Sequence, residues 1–596
     1  MSSFQRLELL RAEMRNVGVD VYLVPSIDAH NSEYVPECWQ RRPWISGFDG
    51  SAGEVMVTLN QAYLSTDGRY FLQAEQQLDA ECFQLIKQQG FVSEIELWLQ
   101  NNAAGMKLGV DPQLVSIARM AKLQQIMSLV GGEVVILAEN LIDKCKVLTG
   151  ENLTLPCVAA YAHNDAFTGE SVTAKLKWLR TDLSANQVDA IAFNVLDEIA
   201  WLFNIRGADI DYNPLVISYA FVSSAVAILF VDLSKINSEL EQVLLAAGVT
   251  IKSYTEFGNY LSKLNSKICL DDKTANYWMQ QQAEVTNQIS YARSPIVFKK
   301  AIKNSVEQDG MRYAHIKDAV AMVGFLHWLE NNWQAGVDEV SASDKLAEFR
   351  SKQENLKGYS FATISGYASN GAIIHYRATT ATSKVIKNDN LYLLDSGGQY
   401  LEGTTDITRT MHLGEPTAEQ KRHYTLVLKG HLALSRSIFV HGTCGENLDV
   451  LARAPLWNEF LNYRHGTGHG VGSFLCVHEG PHRISQASSG VALLPGMVVS
   501  NEPGLYIDGS HGIRIENLCL VSEIDQAAAK NSEFGPFYQF EDLTLVPYCK
   551  KLIELDLLSP EDKQQLKAYY QRIVEKVVPR LSDELSAWAL NEMAIF

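Results

Sequence analysis

The chain has 596 residues, of which 47% are hydrophobic and 20% are charged, and its formal net charge is −18. This composition is typical of globular proteins and excludes disorder as the main state of the chain. The negative charge argues against a dominant nucleic-acid function and against binding to an anionic membrane surface, because both need a basic face. The length predicts about two to four domains.

Cysteine content and hydropathy favour a protein of the cytoplasm. Nine cysteines without a Cys-x-x-Cys pair predict reduced, mostly buried thiols. The first residues lack the apolar core of a secretory signal, so a cytoplasmic location is expected. The longest uncharged apolar stretch, residues 215–231, contains three serines and predicts paired buried strands rather than a membrane span.

The N-terminal half contains a weak internal repeat. Residues 9–24 align with residues 178–193, so that Asp20 matches Asp189. Each copy has the pattern of an amphipathic helix followed by an apolar strand. Two more strands are predicted after the first copy, at residues 54–59 and 63–66. The pattern predicts two similar α/β domains.

A third domain is expected after Ser294-Pro295. Residues 305–308 resemble a helix capping box. Apolar residues at helical spacing then predict a long helix that opens this domain. They are Ile316, Val320, Val323 and Leu326. Near the C-terminus, Ser559-Pro560 and two acidic residues predict the start of a helix that ends near Pro579.

Histidines and carboxylates concentrate in residues 375–511 and just beyond. Ten of the 14 histidines lie in this window, which is less than a quarter of the chain. An apolar strand ends in Asp395, and a β-branched strand at 403–410 contains Asp406. A hairpin would place these two aspartates close together. Aspartates within strands are costly unless they are paired or bind a cation, so the pair is a candidate site.

Three further motifs follow in this region. Residues 465–472 contain four glycines and two histidines, which allows the backbone to approach another group closely, although a glycine-rich loop alone is a weak signal. A second apolar strand ends in Glu502. Strict alternation in residues 512–517 places Arg514 and Glu516 on one face of a strand.

These motifs combine into a candidate metal centre of four carboxylates and one imidazole. Its residues are Asp395, Asp406, His469, Glu502 and Glu516. Two divalent cations would balance four carboxylates, and oxygen-rich ligation with one imidazole favours hard ions such as manganese over a structural zinc. Two metal ions that share carboxylates can activate water near neutral pH and polarise a carbonyl.

The sequence resembles the pita-bread metallopeptidases, and within them the long, three-domain, cytosolic-type Xaa-Pro aminopeptidases. Four motifs of the C-terminal half carry the resemblance: GAIIHY (371–376), LLDSGGQYLEGTTDITRTMHLG (393–414), HGTGHGVGSFLCVHEGPHRIS (465–485) and GIRIEN (512–517). Three motifs of the N-terminal half extend it over nearly the whole chain: DAHNSEYVPECWQRRPWISGFDGSAG (28–53), TDGRYFLQAEQQ (66–77) and LDEIAWLFNIRG (196–207).

The resemblance implies an α/β (α+β) architecture of three domains. Residues 1–157 and 158–300 would be two related creatinase-like α/β domains. Residues 301–596 would form a pita-bread catalytic domain with a C-terminal extension. The family often forms homodimers, so a homodimer is expected. The C-terminal segment 581–596 would then be buried, either in the dimer or against its own chain. Its large apolar residues are Trp588, Leu590, Met593, Ile595 and Phe596.

The resemblance also implies a role for each candidate site residue. Asp395 would bind the first metal and His469 the second. Asp406 and Glu516 would bridge the two metals, while Glu502 would bind the second metal and accept a proton from the bridging water. The remaining matches are His375, His465 and His478 on the substrate side and Arg514 as a supporting group. Asn501 departs from an acidic residue of some relatives, which affects only the tuning of its neighbour Glu502.

The implied function is a metal-dependent exopeptidase. It would release the N-terminal residue from peptides with proline in the second position, through attack of a hydroxide that bridges two divalent ions. The implied ions are manganese, with cobalt or zinc as alternatives, and the implied partners are Xaa-Pro peptides, without nucleic acid or membrane. The alternatives are a prolidase-type dipeptidase, a metal-free hydrolase and a non-catalytic binding module on the same fold. Intact candidate ligands argue against the last two.

Overall fold

The computed structural model describes residues 1–90 and 92–595, and the chain forms two compact units. Unit 1 comprises Met1–Asp165 and Glu170–Val297, and unit 2 comprises Ala166–Gly169 and Phe298–Phe596. Within the described ranges, none of the helices combines the length and the apolarity that crossing a membrane requires.

The first sheet of unit 1 has six strands. They are β1 (Val21–Val24), β2 (Glu54–Thr58), β3 (Ala62–Thr66), β4 (Gln84–Lys87), β5 (Lys107–Val110) and β6 (Glu133–Ile136), in the order β4-β3-β2-β1-β5-β6. The helices of this region are α1 (Ser3–Val17), α2 (Arg41–Ser46), α3 (Phe71–Gln77), α4 (Glu94–Asn102), α5 (Ile117–Leu129) and α6 (Leu141–Leu148). Leu7, Leu10 and Met14 lie at helical spacing in α1 and are buried in the core on this sheet.

The second half of unit 1 repeats this architecture. Its strands are β7 (Tyr161–Ala162), β8 (Ala190–Phe193), β9 (Ile205–Arg206), β10 (Ser218–Ser223), β11 (Ala227–Val231), β12 (Val249–Ser253), β13 (Lys267–Leu270) and β14 (Gln288–Tyr291). Its helices are α8 (Val172–Ala185), α9 (Leu196–Leu202), α10 (Ser238–Ala246), α11 (Phe257–Leu261) and α12 (Tyr277–Ala283). Helices α7 (Asp165–Thr168) and α13 (Pro295–Ala301) contain points in the sequence where the chain passes between the two units.

The two large sheets of unit 1 have the same topology, which confirms the internal repeat. The second sheet has the order β12-β11-β10-β8-β13-β14, so β8 takes the place of β1 and β13 that of β5. In each sheet three consecutive strands pair antiparallel: β3, β2 and β1 in the first sheet, and β11, β10 and β8 in the second. The other strand pairs of both sheets are parallel. The apolar stretch 215–231 contains the antiparallel pair β10 and β11, as predicted.

Unit 2 mixes long helices with short antiparallel strands. The helices are α14 (Ser305–Asn332), α15 (Glu339–Ser351), α16 (Ala418–Ser435), α17 (Gly445–Trp457), α18 (Ala527–Lys530), α19 (Pro560–Lys576) and α20 (Asp583–Met593). The strands are β15 (Leu356–Tyr359), β16 (Ile364–Tyr367), β17 (Leu391–Ser396), β18 (Gly398–Tyr400), β19 (Gly403–Thr404), β20 (Ile407–His412), β21 (Ile438–Val440), β22 (Gly468–His469), β23 (Arg483–Ile484), β24 (Val498–Asn501), β25 (Gly504–Ile507), β26 (His511–Arg514), β27 (Asn517–Glu523) and β28 (Phe537–Asp542).

The strands of unit 2 form several small sheets around one large apolar core. Their orders are β15-β18-β19, β16-β17-β20, β21-β28-β27-β24, β22-β23 and β25-β26. The core joins α14, α15, α16 and α19 to β17, β20 and β26. Helix α19 begins after the predicted N-cap Ser559 and ends at Lys576, close to the expected Pro579.

The strand predicted at 403–410 is divided in the structure. Residues Gly403–Thr404 pair with β18, whereas Ile407–His412 pair with β17. The chain changes sheets at Thr405. The Thr405 N–H donates to the Gly398 carbonyl at 2.9 Å, the Gly398 N–H donates to Thr405 Oγ1 at 2.9 Å, and the Thr405 carbonyl accepts from Ser360 Oγ at 2.8 Å. Asp406 therefore lies in a break between two strands rather than inside one strand.

The C-terminal helix packs against its own chain. Met593 is buried in the core of unit 2, Trp588 and Ile595 pack on that core, and the Trp588 indole donates to Glu330 at 2.6 Å. Leu590 remains exposed, and Phe596 lies outside the described residues. The segment is thus buried against its own chain rather than in a dimer, so its burial provides no argument for a dimer.

The cysteines are all free thiols, as predicted. The expectation that most are buried was wrong, because only four of the nine are buried and Cys157 is exposed. The buried ones are Cys38, Cys145, Cys269 and Cys519.

The N-cap of α14 lies one residue before the predicted capping box. Asn304 Oδ1 accepts from the backbone N–H of Val306 and Glu307, and the Glu307 carboxylate accepts from the Asn304 N–H at 3.1 Å. Gln308 instead donates to the Lys303 carbonyl at 2.7 Å. Asparagine caps at least as well as serine, so the box is shifted to Asn304.

Asn304→Ala should therefore destabilise the protein by about 0.5–2 kcal/mol, because two N–H groups of the first turn lose their acceptor. Ser305→Ala is the matched control and should change stability by less than about 0.5 kcal/mol. Denaturant unfolding of both variants measures the difference, and equal effects would contradict the assigned cap.

Candidate metal centre

The β17–β20 hairpin brings Asp395 and Asp406 to one place. The two strands are antiparallel, with Asp395 opposite Thr408, and Asp406 directly precedes β20. Both aspartates are buried. The break between β19 and β20 allows Asp406 to leave the pleat of the strand, so that its carboxylate lies on the side of the cluster described below.

The glycine-rich loop brings His469 beside the end of β24. The His469 N–H donates to Ser500 Oγ at 3.0 Å, and the Glu502 N–H donates to the Thr467 carbonyl at 2.8 Å. A Cβ atom at Gly468 would lie 1.9 Å from the Ser500 carbonyl oxygen. Only glycine permits this approach, which explains why the loop needs glycine at this position.

Residues 511–516 bring Arg514, at the end of β26, and Glu516, between β26 and β27, to the same cluster. Ile513 and Ile515 face the core of unit 2, as the alternation predicted. On the other face, Arg514 Nη2 lies 2.6 Å from Asp395 Oδ2. Thr408 Oγ1 donates to Glu516 Oε2 at 2.8 Å, which links the connection between β26 and β27 to β20.

All five predicted ligand residues therefore lie in one cluster. Asp406, His469 and Glu516 each present one ligand atom within 4.8 Å of the other two. His469 Nε2 is 3.6 Å from Asp406 Oδ2 and 3.7 Å from Glu502 Oε1. Asp395 is close enough to raise the pKa of both Asp406 and Glu516.

The electrostatics of the cluster favour a bound cation. Burial, followed by repulsion from the neighbouring carboxylates, raises the pKa of Asp406 and Glu516 well above the ordinary values. Burial also raises the pKa of Glu502, while His469 opposes this shift. Asp395 Oδ1 and Asp406 Oδ1 are buried, and neither accepts a hydrogen bond from residues 1–90 or 92–595. Unpaired buried carboxylate oxygens and one imidazole fit hard divalent ions.

The three histidines that the resemblance places on the substrate side take different positions around the cluster. The His478 ring meets the His469 ring edge to face, with centroids 4.4 Å apart. His465 Nδ1 lies 3.8 Å from Glu502 Oε2. His375 is half-buried and follows Ile374, whose carbonyl accepts from Arg514 Nη2 at 3.4 Å.

Sequence reasoning missed Tyr506, a polar group that joins two parts of the site. Its hydroxyl accepts from Arg514 Nη1 at 2.6 Å and lies 2.9 Å from His465 Nε2. Burial raises the pKa of Tyr506, so the hydroxyl stays protonated. The only signal in the sequence is the position of Tyr506 four residues after Glu502, which is too common an arrangement to identify it.

Four family models match the chain. The metallopeptidase family M24 matches residues 309–523, and the C-terminal region of peptidase M24 matches residues 536–594. The creatinase/prolidase N-terminal domain matches twice, at residues 6–147 and 152–307. The two N-terminal matches coincide with the two repeated sheets of unit 1.

The chain is 43% identical to a probable Xaa-Pro aminopeptidase P of Podospora anserina, over 99% of this chain and 89% of the relative. It belongs to the aminopeptidase P family. A relative of the same description from Sordaria macrospora is 42% identical and covers both chains fully. The crystal structure of an X-prolyl aminopeptidase from Caenorhabditis elegans, described as a cytosolic enzyme with a di-nuclear active site, matches with a TM-score of 0.93. That likeness has 34% identity and covers 100% of this chain and 99% of the other.

Family membership identifies the chain as a metallo-aminopeptidase, a hydrolase. Its fold is the predicted one, with two creatinase-like α/β domains before a pita-bread catalytic domain. The roles of individual site residues remain predictions.

Proposed function

We propose that this aminopeptidase releases the N-terminal residue from peptides that have proline in the second position. The observation that carries the proposal is the convergence of five residues in one cluster: buried Asp395, Asp406 and Glu516 with half-buried His469 and Glu502. Identity of 43% over nearly the whole chain to proteins named for this activity supports the same specificity.

The cluster would hold two divalent ions. Asp395 would bind the first and His469 and Glu502 the second, with Asp406 and Glu516 shared between them. When bound, the ions would supply Lewis acidity that polarises the scissile carbonyl and activates water. The oxygen-rich donor set favours manganese, with cobalt or zinc as substitutes.

The surrounding residues would guide protons and orient the substrate. The Glu502 carboxylate lies 3.8 Å from His465 Nδ1 and 3.7 Å from His469 Nε2, a position from which it would accept a proton from water. His478 would hydrogen-bond the scissile region and assist proton transfer to the leaving nitrogen. His375 and His465 would contact the substrate, while Arg514 holds Asp395 through its 2.6 Å ion pair.

The proposal also includes the domain boundaries, the cellular location and the oligomeric state. The domains would be residues 1–157, 158–300 and 301–596, a division that the family matches support. A cytoplasmic location is supported by the nine free thiols and by the description of the Caenorhabditis elegans relative as cytosolic. The homodimer rests on the family resemblance, and a sedimentation mass near that of one chain, 66.4 kDa, would refute it.

We predict that the enzyme hydrolyses Arg-Pro-Pro about 10–200-fold more efficiently than Arg-Ala-Pro. The proline ring would fill an apolar, histidine-lined pocket, and the loss of that contact costs about 1–3 kcal/mol. The ratio of kcat/KM for the two peptides, measured with manganese, tests this prediction. Equal values, or a preference for alanine, would contradict the specificity even if the metal centre is correct.

A comparison of peptide lengths tests the alternative functions. We expect hydrolysis of a tripeptide Xaa-Pro-Yaa and little hydrolysis of a dipeptide Xaa-Pro, together with about two metal ions per chain. A preference for the dipeptide would indicate a prolidase. Hydrolysis without metal would indicate the metal-free hydrolase class, and bound metal without any hydrolysis would favour a binding module.

A further inference from the structure

A buried ion triad holds the loop that carries His469 and His478. Glu479 Oε1 lies 2.7 Å from Lys303 Nζ, and Glu479 Oε2 lies 2.8 Å from Lys300 Nζ. The three side chains are at most 3% exposed. Both lysines precede α14, so the triad connects the active-site loop to a segment more than 170 positions earlier in the sequence.

The charges of the triad are strongly coupled. Burial alone would raise the pKa of Glu479, but Lys300 and Lys303 lower it to about 2. The carboxylate is therefore ionised. Apolar side chains of similar volume often stabilise a core as well as buried ions or better, so stability alone does not account for three charges here. What the triad provides is a fixed orientation, because each carboxylate oxygen has its own cation.

The backbone transmits that orientation to both histidines. The Glu479 N–H donates to the Gly470 carbonyl at 2.8 Å, and the Gly472 N–H donates to the Cys476 carbonyl at 2.9 Å. A Cβ atom at Gly470 would lie 2.0 Å from the Glu479 carbonyl oxygen, so the two chain segments are in direct contact. His469 and His478 each lie one residue from this contact, and their rings meet edge to face.

We propose that Lys300, Glu479 and Lys303 are positioning residues that hold His478 against His469 and Glu502. The proposal rests on the proposed function, in which His478 assists proton transfer. According to this proposal, the triad does not touch the reacting atoms and acts only through His478. A shift of about 1 Å in a positioned group can lower turnover about 100-fold.

A double-mutant cycle tests the proposal on full-length, manganese-loaded enzyme with Arg-Pro-Pro as substrate. Glu479→Gln should lower kcat about 10–100-fold with little change in KM. The same substitution in a His478→Ala background should cause no further loss, because the group that it positions is absent. Additive losses in kcat would overturn the proposal, since a general structural defect would act in both backgrounds.

Two further variants keep the test decisive. Lys303→Met leaves a neutral Lys300–Glu479 pair and should show a smaller loss of kcat that also disappears in the His478→Ala background. Asp318→Asn is the matched control, because it breaks an equally buried ion pair with Arg350 in the same unit. It should lower the Tm and leave kcat unchanged.

Failure of the positioning role can be separated from failure of the proposed function. If His478→Ala retains full turnover of Arg-Pro-Pro, the role of His478 and the triad proposal both fail, but the peptidase assignment stands. If the wild-type enzyme does not hydrolyse Arg-Pro-Pro, the proposed function fails, and the triad proposal fails with it.

Discussion

Asp406→Asn is expected to abolish binding of the metal pair and to lower turnover by more than about 100-fold. Asp406, His469 and Glu516 each present a ligand atom within 4.8 Å of the other two. Asp406 Oδ1 accepts no hydrogen bond from the described part of the chain. Replacement of a group that only supports a ligand costs about 10–100-fold in affinity or activity. The loss of a carboxylate shared by two ions should cost more.

Thermal stability provides a second measurement for this variant. Saturating manganese should stabilise the wild-type enzyme by about 2.7 kcal/mol at 100 times the Kd, and the Asp406→Asn variant much less. After chelation, the variant should be at least as stable as the wild type, because it removes one charge from a crowded group of buried carboxylates.

Exposed Asp508 offers the control. Asp508→Asn should bind metal and turn over substrate like the wild type in elemental analysis and in the Arg-Pro-Pro assay. Normal metal content with normal turnover in Asp406→Asn would refute the shared-ligand role.

The position of Asp406 also shows where prediction from sequence ends. The β-branched run at 403–410 predicts one continuous strand, and nothing else in this stretch of sequence predicts a break at Thr405. The division at Thr405 results from hydrogen bonds to Gly398, in β18, and to Ser360, which lies 45 positions earlier in the sequence. The approach of Asp406 to Asp395 was nonetheless predicted, because it depends on antiparallel pairing of the flanking strands.

Patterns with a short period were predicted well. The helical stripe of α1, the paired strands at 215–231 and the alternation around Arg514 were confirmed, because burial on one face imposes these patterns on the sequence. The repeat was confirmed because two homologous segments build sheets of the same strand order.

Residues that act over long distances in sequence were missed. Tyr506 contacts a histidine 41 positions away, and Lys303 contacts Glu479 at a separation of 176 positions. A lysine or tyrosine of this kind has no periodic neighbour in the sequence that marks it. Asp395 and Glu502 were recognised because each follows an apolar strand pattern, and His469 because it lies in a glycine-rich loop. Asp406 and Glu516 were recognised because each places a carboxylate within a strand pattern.

His478→Ala is expected to retain the metal ions and to lose turnover by about 10²–10⁴-fold. His478 contacts the His469 ring edge to face, and its proximity affects the pKa of Glu502. The nitrogen that leaves from an Xaa-Pro bond belongs to proline and must gain a proton to depart as a secondary amine. Removal of a positioned proton-transfer group typically costs this much.

The control and the metal measurement decide between a proton-transfer role and a ligand role for His478. His441 is an exposed histidine of the same unit that contacts Tyr538 at 3.1 Å, and His441→Ala should have wild-type kinetics. If His478→Ala loses metal together with activity, His478 is a ligand rather than a proton-transfer group. If its kcat and KM match the wild type, the proton reaches the leaving nitrogen by another route, and Glu502, which lies between His465 and His469, becomes the residue to test next.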